Sequence, residues 1–128
     1  MRDSVKRWFA FAEENLACAR IVADKGYYNP ALQNVQQAVE KTLKALILQN
    51  DLEFRKTHNI QELRGILAAA GLDIELTDEE CELLDSIYLP SKYPLGSALP
   101  DAQPDQGICK ECIAIAAKVL SRARQLGL

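Results

Sequence analysis

The stretch 34-NVQQAVEKTLKALILQND-51 decides the fold. With Leu32 just ahead of it, it places Val35, Val39, Leu43, Leu46 and Ile47 at three- and four-residue steps, the spacing of one helical face. The core face of an amphipathic helix is normally aliphatic. Here Gln36 falls in line with Leu32, Val39 and Leu43, and Gln37, Glu40, Lys41 and Lys44 crowd around it. Such a polar cluster is either the solvated flank of a bundle helix or the wall of a site.

Working outward, the same period runs through nearly the whole chain. Val5, Trp8, Phe9, Ala12, Leu16, Ala19 and Ala23 predict one long first helix, ended by Lys25 and Gly26. Asn29 offers an N-cap and Pro30 a first helical position for the second helix. After the polar connection 49–59, a short third helix places Ile60, Leu63, Leu67 and Ala70 inward and stops at Gly71. Thr77 and Glu80 form a capping box for a fourth helix, with Cys81, Leu84 and Tyr88 on one face. The segment 89–107 holds four prolines and two glycines in nineteen residues and is expected to be a loop. A last helix carries Ile108, Cys112, Ile115, Val119, Ala123 and Leu126 on one side. No strand signal or repeat occurs. The expected architecture is an all-α, up-and-down bundle of about five helices with a four-helix-bundle core, a single domain over residues 1–128.

The totals narrow the function. The 128 residues are long enough to bury about two-thirds of the unfolded chain's surface without a staple. A net charge of −3 argues against broad electrostatic binding to nucleic acid, which needs a basic face. The N-terminus turns acidic before any long apolar run develops, unlike a secretory signal. No run approaches the roughly 18 apolar residues of a membrane span. A soluble, cytoplasmic chain is expected, in which Cys18, Cys81, Cys109 and Cys112 are reduced.

Few residues carry chemistry on their own. His58, the only histidine, could act as an acid or base, or could cap the third helix together with Asn59. No nucleophile elbow accompanies it. Cys109 and Cys112 form a CxxC, but a zinc site needs a second pair of fixed spacing, and Cys18 and Cys81 sit in apolar helical surroundings. No metal is expected, and the cysteines are expected to pack as small hydrophobes. Trp8, Phe9 and Phe11 suit a core or a subunit interface; the interleaved Arg2, Lys6 and Arg7 keep a base-stacking platform in view. No phosphate-cradling GxxxxGK loop occurs, so any nucleotide must be held by side chains.

Taken together, 27-YYNPALQNVQQAVEKTLKALI-47, 57-THNIQEL-63, 88-YLPSKYP-94 and the early helix with Ala12, Leu16, Ala19 and Ala23 resemble the HEPN family, the nucleotide-binding domains of higher eukaryotes and prokaryotes. The pieces span most of the chain in the family's order. The resemblance implies a bundle that dimerises through long helices and pairs with a small nucleotidyltransferase in toxin–antitoxin or related modules. Some members are metal-independent ribonucleases that use an arginine and a histidine separated by four to six residues. Here the arginine would have to stand at 51, 52 or 53, where Asp51, Leu52 and Glu53 are found, and Arg55 is too close to His58. The ribonuclease signature is absent and no catalytic residue is assigned. The chain looks like the branch with a Y…RYP tail, except that Lys92 replaces the arginine and loses its bidentate fork.

With the resemblance, Gln37, Lys41 and Lys44 become candidate nucleotide-binding residues on one helix flank, joined by His58, Lys92 and Tyr93. The alternative is an ion-paired, solvated face, Glu40 with Lys44 and Gln37 with Lys41. The expected protein is a non-catalytic homodimeric module that binds a nucleotide or pairs with a nucleotidyltransferase. The alternative is a purely structural, protein-interacting subunit. No cofactor is expected beyond a nucleotide ligand.

Overall fold

The computed structural model describes residues 2–53, 55–92 and 104–128, the side chains of 88–92 excepted. Five helices follow one another: α1 (Asp3–Asp24), α2 (Tyr28–Gln49), α3 (Ile60–Ala69), α4 (Asp78–Lys92) and α5 (Gln106–Gln125). Among the described residues there is no strand, as the unbroken helical period predicts.

The organising element is α2, which touches all four other helices and packs most extensively on α1. Its expected stripe of Leu32, Val35, Gln36, Val39, Leu43, Leu46 and Ile47 is buried. So is its other side, through Ala31, Ala38, Thr42 and Ala45. Alanine and threonine do not register as an apolar stripe, yet small side chains let a second helix lie close. Burying a leucine such as Leu43 or Leu46 contributes about 1.5–3 kcal/mol, so this doubly buried helix supplies much of the fold's stability.

The helix ends follow local chemistry. Past α1, Gly26 takes a left-handed φ of +83° while the Tyr27 N–H donates to the Val22 carbonyl, closing the helix. The next helix starts two residues earlier than Asn29 and Pro30 suggest, with Tyr27 as its N-cap and no side-chain bond there. Pro30 then sits in the third helical position. Its missing N–H is still among the four that have no helical partner, so the earlier start costs nothing. The α3 terminus is fully satisfied: Asp85 of α4 accepts from the Ile60 and Gln61 N–H groups at 2.7 and 3.2 Å, and Asn59 accepts from Glu62 at 2.8 Å. Gly71 closes α3, but Ala70 is exposed rather than inward. Thr77 and Glu80 make the reciprocal bonds of the capping box, both at 3.0 Å. The fourth helix continues through Pro90 to Lys92, and α5 begins at Gln106, so the predicted loop 89–107 is helical at both ends. Its middle, residues 93–103, lies outside the described residues. No described helix is long and apolar enough to cross a membrane.

Candidate functional site

The polar cluster on α2 divides into two environments. Gln36, Glu40 and Lys44 are only 2%, 8% and 6% exposed. The Lys44 ammonium donates to Glu40 Oε2 at 2.9 Å, and Gln36 Nε2 donates to Glu40 Oε1 at 3.2 Å and to the His58 carbonyl at 3.3 Å. His58 Nδ1 approaches both Glu40 oxygens, at 3.1 and 3.0 Å. An ionised carboxylate only accepts, so Nδ1 carries the proton that bonds Glu40. Burial pushes the Glu40 carboxyl up, but the bonds from Lys44, His58 and Gln36 outweigh it and hold the group below its ordinary value. Lys44 also lies over the Trp8 ring of α1, 5.8 Å from its centroid. The Glu40–Lys44 pair expected on a solvated face is therefore present, but it is buried. His58 does not cap α3: the N-cap is Asn59, and the imidazole turns back to α2 with its side chain 58% exposed.

Lys41 takes a different course. Its ammonium donates to Asn15 Oδ1 of α1 at 2.8 Å and lies 5.7 Å from the centroid of the Phe11 ring. Asn15 in turn donates to Asn34 Oδ1 at 2.9 Å. The expected Gln37–Lys41 pair gives way to this cross-helix bond. Gln37 is half-buried, one turn before Lys41. Beside Lys41, a groove of about 250 Å³ opens between α1 and α2, lined by Ser4, Arg7, Trp8, Phe11 and Lys41. Its walls are two aromatic rings, its rim two cations.

Of the six residues singled out from sequence, Lys44 and His58 thus meet on Glu40, while Lys41 diverges into the groove. The Lys92 side chain and Tyr93 lie outside the described residues. Asn15, Asn34 and Ser4 as parts of a site carry no sequence signal, because their contacts cross between helices, whereas Arg7 was visible among the aromatic residues of α1. Phe9 is buried, Trp8 half-buried and Phe11 exposed, so the aromatic cluster divides between core and surface.

The family model for the HEPN domain matches residues 5–126. The chain belongs to the HEPN domain family. Two solved structures support the assignment. An archaeal HEPN homologue, ST0689, is 28% identical with a TM-score of 0.73, covering 98% of each chain. TT1696 from Thermus thermophilus is 26% identical with a TM-score of 0.78, covering 97% of this chain and 98% of its own. No curated protein matches.

The buried thiols of this HEPN domain are hard to ionise. Burial pushes Cys81 up to about 11 and Cys112 up to about 12, and it raises Cys109 as well. Such groups are protonated at neutral pH and are poor nucleophiles and ligands. Cys18, expected in apolar surroundings, is instead exposed on α1. Among the described residues no three His, Cys, Asp or Glu side chains are grouped to hold a metal ion.

Proposed function

We propose that this HEPN domain is a non-catalytic, homodimeric module that binds a nucleotide or pairs with a small nucleotidyltransferase in a toxin–antitoxin-like system. The observation that carries the nucleotide part is the α1–α2 groove, where Arg7 and Lys41 stand beside the rings of Trp8 and Phe11. Rings offer a stacking face to a base, worth about 1–3 kcal/mol per base. The guanidinium and ammonium are suited to phosphate oxygens. Lys41 is held in place by Asn15, so little side-chain order has to be created on binding. The buried network behind it fixes the Trp8 wall through Lys44.

The non-catalytic part rests on the residues at 51–53, none of which is an arginine. Dimerisation and the partner protein are supported by Ile21 on α1 and Tyr27 just past its end, which are 61% and 63% exposed. Exposed apolar side chains outside the groove are available for contact with another protein.

Calorimetric titration with ATP and GTP, each with and without magnesium, tests the nucleotide reading. Micromolar dissociation, about −8 kcal/mol, is expected, weakened about tenfold or more in Phe11→Ala. No saturation at millimolar nucleotide would return the groove to an ordinary helix surface. The α1 face would then be tested as a docking site for a protein alone.

A further inference from the structure

A second recess lies at the other end of α1, remote in sequence from the Ser4–Phe11 groove. It has a volume of about 280 Å³ and is walled by α1, the start of α2 and the first half of α5. Its apolar lining consists of Ala23, Cys109, Ile113, Ala114 and Ala117. These are mostly small side chains, and they leave room where larger ones would close the gap between α1 and α5. Arg20 on α1 and Lys110 on α5 stand at this recess, with Asp24, Tyr28 and Gln106 beside them.

Several surface cations are held in ion pairs. Arg2, Arg64, Arg122, Arg124 and Lys118 each have a carboxylate partner. Among the described residues, Arg20 and Lys110 have no such ion pair, although Asp24 lies one turn from Arg20 on the same recess. Two cations against one carboxylate leave the rim net positive. The thiol at the floor is no source of negative charge: burial raises Cys109, and its S–H donates to the Tyr28 carbonyl at 3.5 Å.

We infer that this recess binds a small amphiphilic carboxylate, its aliphatic body against the alanines and Ile113 and its head group between Arg20 and Lys110. An apolar floor with few polar groups at the mouth is the common form of a small-molecule site, and a volume of roughly 300 Å³ is its lower limit. The small volume and largely apolar lining suit a single short chain rather than a long lipid. A carboxylate also matches the planar fork of the arginine. The site is independent of the nucleotide groove and stands or falls without it.

Octanoate is the probe, with octanol as the uncharged control of the same body. Titration of the isotopically labelled protein, followed by amide chemical shifts, is expected to show saturable changes at Ala23, Tyr28, Cys109 and Ile113, with the amides of Ser4–Phe11 unmoved. Octanol is expected to bind about tenfold more weakly, as is octanoate to Arg20→Ala/Lys110→Ala, a factor of ten being about 1.4 kcal/mol. Ala114→Leu, at an exposed position that should leave the fold intact, is expected to abolish both by filling the recess. Circular dichroism of each variant checks folding. Equal affinity for octanoate and octanol, shifts scattered over the whole bundle, binding unchanged in Ala114→Leu, or no saturation at millimolar octanoate would each overturn the assignment.

Discussion

Lys41 and Lys44 are three residues apart on one helix, and α1 offers each an aromatic ring, yet they belong to different kinds of structure. Lys44 is buried beneath Trp8 and neutralised by Glu40 at 2.9 Å. Lys41 is half-buried, bonded to the neutral Asn15 amide, and borders a groove together with Arg7. One lysine has its charge cancelled inside the bundle. The other keeps its charge next to open volume. The difference teaches that polar residues on a helix become scaffold or site according to what the neighbouring helix lays across them, and a turn's displacement is enough.

That contrast is sharpened most by removing the buried counter-charge. Glu40→Ala leaves the Lys44 ammonium buried without its carboxylate, and a loss of about 3–5 kcal/mol is expected in urea unfolding. Replacing both partners, as Glu40→Leu/Lys44→Met, should recover most of that loss, since an apolar pair of similar volume is often neutral to stabilising. If the single and double variants were equally unstable, the network would not be an ion-pair scaffold.

Acid should act on the network and spare the groove. Because the folded Glu40 carboxyl lies below its ordinary value of 4.5, the unfolded chain takes up the proton first. Its contribution is therefore present above about 4.5 and is lost as pH falls through the folded value. Glu40→Gln should be less stable at neutral pH and should lose less on acidification than the wild type, measured as the urea midpoint against pH. Asp85, raised by burial, works in the opposite direction but is common to both proteins. A parallel pair of curves would contradict the assignment.

Smaller effects are expected away from the network. Asn59→Ala removes the α3 cap and should cost about 1 kcal/mol, whereas His58→Ala should not act through capping. Lys41→Ala breaks one cross-helix bond at a half-buried position, and the loss expected is about 0.5–1.5 kcal/mol. A Lys41→Ala loss as large as that of Glu40→Ala would break the distinction between the two lysines.

Much of this was legible in the sequence, for reasons that can be named. Helix order, the Thr77–Glu80 box, Gly26 and Gly71 follow from local rules that the structure obeys. The polar break at Gln36 was visible as an anomaly in an aliphatic stripe, and Glu40–Lys44 as an i, i+4 pair. What local spacing does not encode is depth. Gln36, Glu40 and Lys44 are buried because α1 and the segment before α3 cover them, and His58 reaches Glu40 across eighteen residues of chain. The Lys41–Asn15 bond spans twenty-six residues. No periodicity could join those positions: Arg7, Trp8 and Phe11 were visible together as a candidate stacking platform, but their meeting with Lys41 in one groove emerges only from the packing of α1 on α2.

Urea unfolding of the wild type and Lys41→Ala, each with and without ATP, tests the central claim most directly, because it reads the scaffold and the groove together. A ligand at about one hundred times its dissociation constant stabilises the folded state by about 2.7 kcal/mol. The wild type should gain that amount, and Lys41→Ala should gain clearly less over its own ATP-free value at the same concentration. Equal gains in both proteins, or none in either, would contradict a nucleotide site built on Lys41.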